Sequence, residues 1–88
     1  MLYLVFSRKT PGPYFYRVDY KTSILGESER SERSPFPELM SSILDDLDRR
    51  LVPVVPLFEK DIPEQEKGLI SRVLELYNRA NKSYFPER

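Results

Sequence analysis

The chain has 88 residues, 14 basic and 14 acidic side chains, and neither cysteine nor histidine. This length allows one hydrophobic core, so we predict a single domain over residues 1–88. The missing residue types exclude disulfides, thiol chemistry and histidine-based general-base or metal chemistry, so we predict no enzyme activity, no metal site and no cofactor.

The first two apolar runs, residues 2–7 and 14–20, predict a β-hairpin. They flank residues 9–13, which contain a Pro-Gly turn signal. Side chains alternate between the two faces of a strand. In the second run, one face carries Tyr14, Tyr16, Val18 and Tyr20, and the other carries Phe15, Arg17, Asp19 and Lys21. We expect the tyrosine face to meet the core.

Residues 26–34 contain the tripeptide Ser-Glu-Arg twice in tandem. The stretch has no apolar side chain to bury, so we predict an exposed, mobile loop. The alternative is that its end forms the first turn of the next helix.

A first amphipathic helix is predicted after Ser34, which we expect to act as its cap, with prolines confined to the first turn. Its apolar residues recur at three- and four-residue spacing: Phe36, Leu39, Met40, Ile43, Leu44 and Leu47. The helix should end near Arg49 and Arg50, where cations suit the helix dipole.

Residues 51–58 are almost continuously apolar and predict a further strand. Pro53 and Pro56 each remove a ladder donor, which favours a sheet edge or a polyproline-like run. Asp61 is then expected to cap a second amphipathic helix that has Pro63 in its first turn. We predict a flexible tail over residues 81–88.

The resulting order, ββαβα, predicts an α+β fold. We expect a small three-stranded sheet, made of the N-terminal antiparallel hairpin and the proline-containing edge strand. Two amphipathic helices should cover this sheet.

The acidic and serine residues do not predict a reaction site. On the first helix, Asp46 is one residue from Asp45 and two from Asp48, and residues one and two apart do not share a helix face, so the three carboxylates do not converge. The serines have no histidine to activate them. No apolar stretch reaches the roughly 20 residues that span a bilayer, so we expect no membrane association. The lack of cysteine fits a reducing compartment, so we expect a cytoplasmic protein.

The leading functional hypothesis is a small protein-protein interaction module that modulates or inhibits a larger complex. The proline-bearing edge and the C-terminal aromatic pair are the candidate docking features. The residues predicted to contact a protein partner are Pro53, Val55, Phe58, Tyr84 and Phe85. A chain this short buries a limited fraction of its surface, which also favours a homodimer.

The alternative hypothesis is binding of single-stranded nucleic acid by the N-terminal hairpin. Cations and aromatic rings interleave there, and rings can stack on bases. The residues predicted to contact nucleic acid are Arg8, Lys9, Phe15, Arg17 and Lys21. The zero net charge favours a protein partner over this alternative.

Several short motifs resemble the CcdB family of plasmid toxins. They are Val5-Phe6, residues 14–19, Ile24-Leu25, Pro35, residues 51–55, and Asp61-Ile62 followed by Glu66. The resemblance implies a gyrase-directed toxin with a paired antitoxin. The family has further strands between the counterparts of Val55 and Asp61 and ends in a Trp-Gly-Ile tail. This chain has neither feature, so no functional residue is carried over from the family.

Overall fold

The computed structural model describes residues 1–8 and 15–85 and shows an α+β fold, which confirms the predicted class. The strands are β1 (Leu2–Ser7), β2 (Phe15–Lys21), β3 (Arg30–Pro35) and β4 (Val54–Phe58). The helices are α1 (Phe36–Arg50) and α2 (Glu64–Asn81), and a 3-10 turn follows at Lys82–Tyr84. Within the described ranges, neither α1 nor α2 is long and apolar enough to cross a bilayer.

The strands form one mixed sheet in the order β3-β2-β1-β4. β2 is antiparallel to both β1 and β3, whereas β4 runs parallel to β1. β1 is therefore a central strand, and β3 and β4 are the two edges. α1 crosses from one edge to the other, as parallel pairing requires.

The prediction of a three-stranded sheet is wrong, because residues 30–34 of the predicted loop form most of a fourth strand, β3. β3 has no apolar side chain before Pro35, but as an edge strand it needs only one backbone partner. Its side chains on the helix side find polar or aromatic contacts. Arg30 lies over the ring of Tyr20, 4.2 Å from the centroid, and Glu32 accepts a hydrogen bond from Ser42 of α1 at 3.0 Å.

Both helices pack on one face of the sheet. The buried core residues are Leu2, Leu4, Phe6, Tyr16, Val18, Tyr20, Leu39, Met40, Ile43, Leu47, Val54, Ile62, Ile70, Leu74 and Tyr77. The predicted core face of β2 is confirmed at Tyr16, Val18 and Tyr20, and Tyr14 lies outside the described residues.

The helix ends differ in detail from the prediction. The N-caps of α1 and α2 are Pro35 and Pro63, and neither helix has a side-chain cap, so the expected caps from Ser34 and Asp61 are wrong. The fixed φ of proline nevertheless suits the start of a helix. At the C-terminus of α1, Leu51 takes the left-handed conformation with φ 52° and donates its N–H to the Leu47 carbonyl at 2.8 Å.

The last turn of α1 is tied to the segment before β3. Arg50 forms ion pairs with Glu29 and, at 2.9 Å, with Asp46. The hydrogen bond to Glu29 raises the pKa of the Arg50 guanidinium. The segment between β2 and β3 is therefore held against α1 by charge.

Candidate binding surfaces

The structure brings no metal-binding cluster together in the part of the chain that it describes. Within residues 1–8 and 15–85, no group of three or more acidic side chains could hold a metal ion. The geometry therefore directs attention to surfaces.

One face of the sheet is covered by no described helix, and we call it the open face. Because side chains alternate along a strand, it carries the neighbours of the core residues. They are Tyr3, Val5 and Ser7 from β1, Phe15, Arg17, Asp19 and Lys21 from β2, Ser31, Arg33 and Pro35 from β3, and Val55 and Leu57 from β4. Ser7 is buried, and the other side chains are exposed or half-buried.

Strand register divides the open face into an apolar half and a basic half. Tyr3 lies between Lys21 and Val55, and Val5 lies opposite Leu57. The four side chains of β1 and β4 thus form one contiguous apolar patch. On the β2 side, Lys21 lies beside Tyr3 and Asp19 lies beside Val5, whereas Arg17 and Arg33 lie farther from the patch.

The basic half holds more positive than negative charge. The Arg17 Nε lies 3.1 Å from the Asp19 Oδ1, and the Ser31 hydroxyl donates to the same oxygen. Arg17 also lies directly opposite Arg33, a cross-strand pair of like charge. Such pairs destabilise a sheet unless an anion approaches them.

The residues predicted to bind a protein do not form one surface. Val55 lies on the open face, whereas Phe58 faces the helices and stacks on Phe6 with ring centroids 5.6 Å apart. Phe85 packs against Tyr77 at 5.9 Å, and Tyr84 is exposed over 68% of its surface.

The remaining predicted features are Pro53 and the tail over residues 81–88. Pro53 immediately precedes β4, and its carbonyl accepts a hydrogen bond from Leu2 at 2.9 Å. The predicted tail begins in regular structure, because Asn81 ends α2 and a 3-10 turn follows it. Residues 86–88 lie outside the described residues.

The residues predicted to bind nucleic acid are better grouped. Phe15, Arg17 and Lys21 all lie on the open face. Arg8 lies away from them, 5.3 Å from the ring centroid of Tyr16 and 3.5 Å from a Glu66 oxygen. Lys9 lies outside the described residues.

Sequence reasoning missed Tyr3, Val5, Leu57 and Arg33 as members of a candidate site. Alternation along the first strand carries the signal for Tyr3 and Val5, since their neighbours are the more apolar set. Leu57 and Arg33 join them only through strand pairing, which the sequence does not show.

The β4 edge is closed to further strand pairing over much of its length. Hydrogen bonds from Leu2 to Pro53 and from Glu59 to Phe6 show that odd-numbered residues of this segment face β1. The outward groups therefore belong to Val54, Pro56 and Phe58. The Asn78 side chain binds both backbone groups of Val54, and Pro56 has no N–H.

Compared with known proteins, the chain matches no family model, no curated protein and no solved structure. The gyrase-directed toxin implied by the CcdB resemblance therefore stays a prediction from short motifs.

Proposed function

We propose that this protein is a non-enzymatic interaction module that binds another protein through the open face. The observation that carries the proposal is a sheet whose described helices lie on one side only, with a contiguous apolar patch on the other. Half-buried side chains such as Val5 and Leu57 would bury further apolar area on contact. In this role the module modulates or inhibits a larger complex by occupying one of its surfaces.

The charge of the open face defines the chemistry of the partner. An interface of this kind has an apolar centre and a polar rim. Lys21, Arg17 and Arg33 supply a rim with excess positive charge, since Asp19 is the one carboxylate among them. The matching partner surface is apolar with an acidic border, which would also accelerate association.

The test is capture from native extract with matched charge substitutions. Leu57→Glu places a negative charge in the apolar patch, and Lys21→Glu reverses the rim. Each should weaken capture of the same partner by at least about tenfold, a loss of about 1.4 kcal/mol. Leu76→Glu is the control, because Leu76 is 50% exposed on α2, outside the open face. Equal capture by Leu57→Glu, Lys21→Glu and the unaltered chain would contradict the proposal.

Single-stranded nucleic acid is a second candidate for the same face. Its support is the grouping of Phe15, Arg17, Lys21 and Arg33, where a ring can stack on a base and cations can meet phosphates. An oligonucleotide of about 12 nucleotides should then bind with affinity that falls steeply between about 50 and 200 mM salt. Arg17→Glu should weaken that binding, and Arg72→Glu on α2 should not. Binding that does not respond to salt would exclude this candidate.

A further inference from the structure

We propose that β3 pairs with β3 of a second copy of this chain, antiparallel and about a two-fold axis at Ser31. The pairing joins the two sheets edge to edge in a homodimer. It uses the outward backbone groups of the β3 edge, whereas the proposed partner contacts side chains of the open face, so the two proposals are tested separately.

The direction of the backbone groups follows from the hydrogen bonds across the sheet. The Leu2 N–H and the Phe6 carbonyl point to β4, so the odd-numbered residues of β1 bond to β2. The same alternation turns even-numbered residues of β2 toward β3, as the bond from the Glu29 N–H to the Tyr20 carbonyl shows. In β3, the backbone groups of Ser31 and Arg33 therefore point away from the sheet.

The two edges of the sheet differ in whether a further strand can be added to them. At β4, a proline and the Asn78 side chain block strand addition, a usual protection of an edge. Within β3, proline occurs only at its last residue, and Ser31 keeps both outward backbone groups. The Arg33 carbonyl accepts a hydrogen bond from the Ser34 hydroxyl at 2.7 Å, which leaves the Arg33 N–H to donate.

The charge order of this segment is complementary to itself when it is reversed. An antiparallel pair centred on Ser31 places Arg30 opposite Glu32 of the second copy, and Glu32 opposite its Arg30. The two charged residues beside the axis thus each meet an opposite charge, which stabilises cross-strand pairs. Charged edge strands ordinarily repel a second strand, and the tandem Ser-Glu-Arg order removes that repulsion.

Arg30 and Glu32 lie where each can pair with its opposite charge in the second copy. They lie on the same side of β3, with the Arg30 Nη2 3.5 Å from the Glu32 Oε1 and side-chain exposures of 43% and 23%. The long contact between them can be replaced by contacts across the axis, while Arg30 stays over the Tyr20 ring and Glu32 keeps its hydrogen bond from Ser42. In such an isologous interface each pair occurs twice.

The pairing of two short strands buries less than the ~1,200 Å² of a stable interface. We therefore expect a reversible dimer with a dissociation constant on the order of micromolar to 1 mM. Sedimentation equilibrium should show the mass rising from the chain mass of 10.4 kDa toward twice that value with concentration. A monomer at about 1 mM would overturn the proposal.

A proline substitution tests the backbone contact. Ser31→Pro removes an N–H that β2 does not use, so the fold is kept at this edge position while the dimer is lost. Ser31→Ala is the matched control, since it loses the same hydroxyl contact to Asp19 but keeps the N–H. A dimer that survives Ser31→Pro would contradict the pairing.

A charge exchange tests the register without depending on the proline. Arg30→Glu and Glu32→Arg each place like charges opposite one another and should weaken self-association by at least about tenfold. Mixing these two variants restores opposite charges at both positions, so a heterodimer should form. Failure of the mixture to associate would overturn the register at Ser31. Leu57→Glu should leave the dimer intact, which separates this test from that of the partner surface.

Discussion

The side-chain amide of Asn78 completes the backbone hydrogen bonds of Val54. The Val54 N–H donates to the Asn78 Oδ1 at 3.0 Å, and the Asn78 Nδ2 donates to the Val54 carbonyl at 2.8 Å. A residue of α2 thus takes the place that a neighbouring strand would occupy. This contact joins α2 to the edge of the sheet and closes that edge.

Asn78→Ala should lower the free energy of unfolding by about 2 kcal/mol. Val54 is only 2% exposed, so its N–H and carbonyl would both lose their partners away from water. Chemical denaturation measures the change. Asn81→Ala is the control, because Asn81 makes a single side-chain bond, to the Tyr77 carbonyl at 3.0 Å. An equal loss in both variants would refute the special role of Asn78.

Tyr77→Phe should destabilise the fold by about 1 kcal/mol. The Tyr77 hydroxyl lies 2.9 Å from the Leu47 carbonyl at the end of α1 and 3.1 Å from the Val52 carbonyl before β4. Its proton joins one of these carbonyls to α2. Thermal unfolding should show a lower midpoint with the secondary structure unchanged. An unaltered midpoint would mean that water replaces this contact at no cost.

At neutral pH, Tyr20→Phe should not lower the free energy of unfolding, in contrast to Tyr77→Phe. At high pH, the substitution should remove a loss of stability that the unaltered chain shows. The buried Tyr20 hydroxyl has no hydrogen bond of ordinary geometry among the described residues, although the Arg30 guanidinium lies close enough to affect its pKa, so its removal should not lower stability at neutral pH. Burial raises the pKa of Tyr20, which favours the neutral form in the folded chain. Stability is therefore present below the unfolded pKa of about 10 and falls as the pH rises through the folded value.

Unfolding free energies of the unaltered chain and Tyr20→Phe between about pH 8 and 11 test this sign. The slope above about pH 10 should be shallower in the variant. Burial also raises the pKa of Tyr77, so part of the slope should persist. Identical slopes in the two proteins would contradict the assignment to Tyr20.

Arg33→Glu should stabilise the monomer by about 0.5–1 kcal/mol while weakening the proposed partner complex. The change converts the like-charge pair with Arg17 into an opposite-charge pair across β2 and β3. It also removes positive charge from the rim of the open face. Dilute thermal unfolding and the capture experiment measure the two effects. Arg72→Glu on α2 is the control and should alter neither. A destabilised Arg33→Glu would show that the two arginines do not repel.

The sequence predicted the elements whose signals are local. Alternation in β2 identified Tyr16, Val18 and Tyr20 as core residues, and helical spacing identified α1 and α2. The strand β3 escaped prediction because it has little apolar pattern of its own. β3 is held by the backbone of β2, the ring of Tyr20 and the hydroxyl of Ser42 on α1. These partners lie outside the strand itself, so no local pattern within residues 30–35 reveals them.

For the candidate surfaces too, the sequence predicted some residues correctly and misplaced others. Alternation alone placed Phe15, Arg17 and Lys21 together, and the structure kept them on one face. Phe58 and Phe85 looked available as apolar residues near a strand edge and a chain end, but both pack on aromatic rings of the core. Apolar composition cannot distinguish an anchor for a partner from a side chain that packs inside.

Composition and local periodicity by themselves determined the α+β class, the core face of β2 and the absence of histidine and cysteine chemistry, because these depend on residue type and near neighbours. Only the tertiary structure decided that β4 lies parallel beside β1, that β3 completes the sheet and that no described helix covers one of its faces. These features depend on pairings between residues far apart in the chain. The same pairings leave the Ser31 backbone outward and turn a repeated tripeptide into an edge that complements itself.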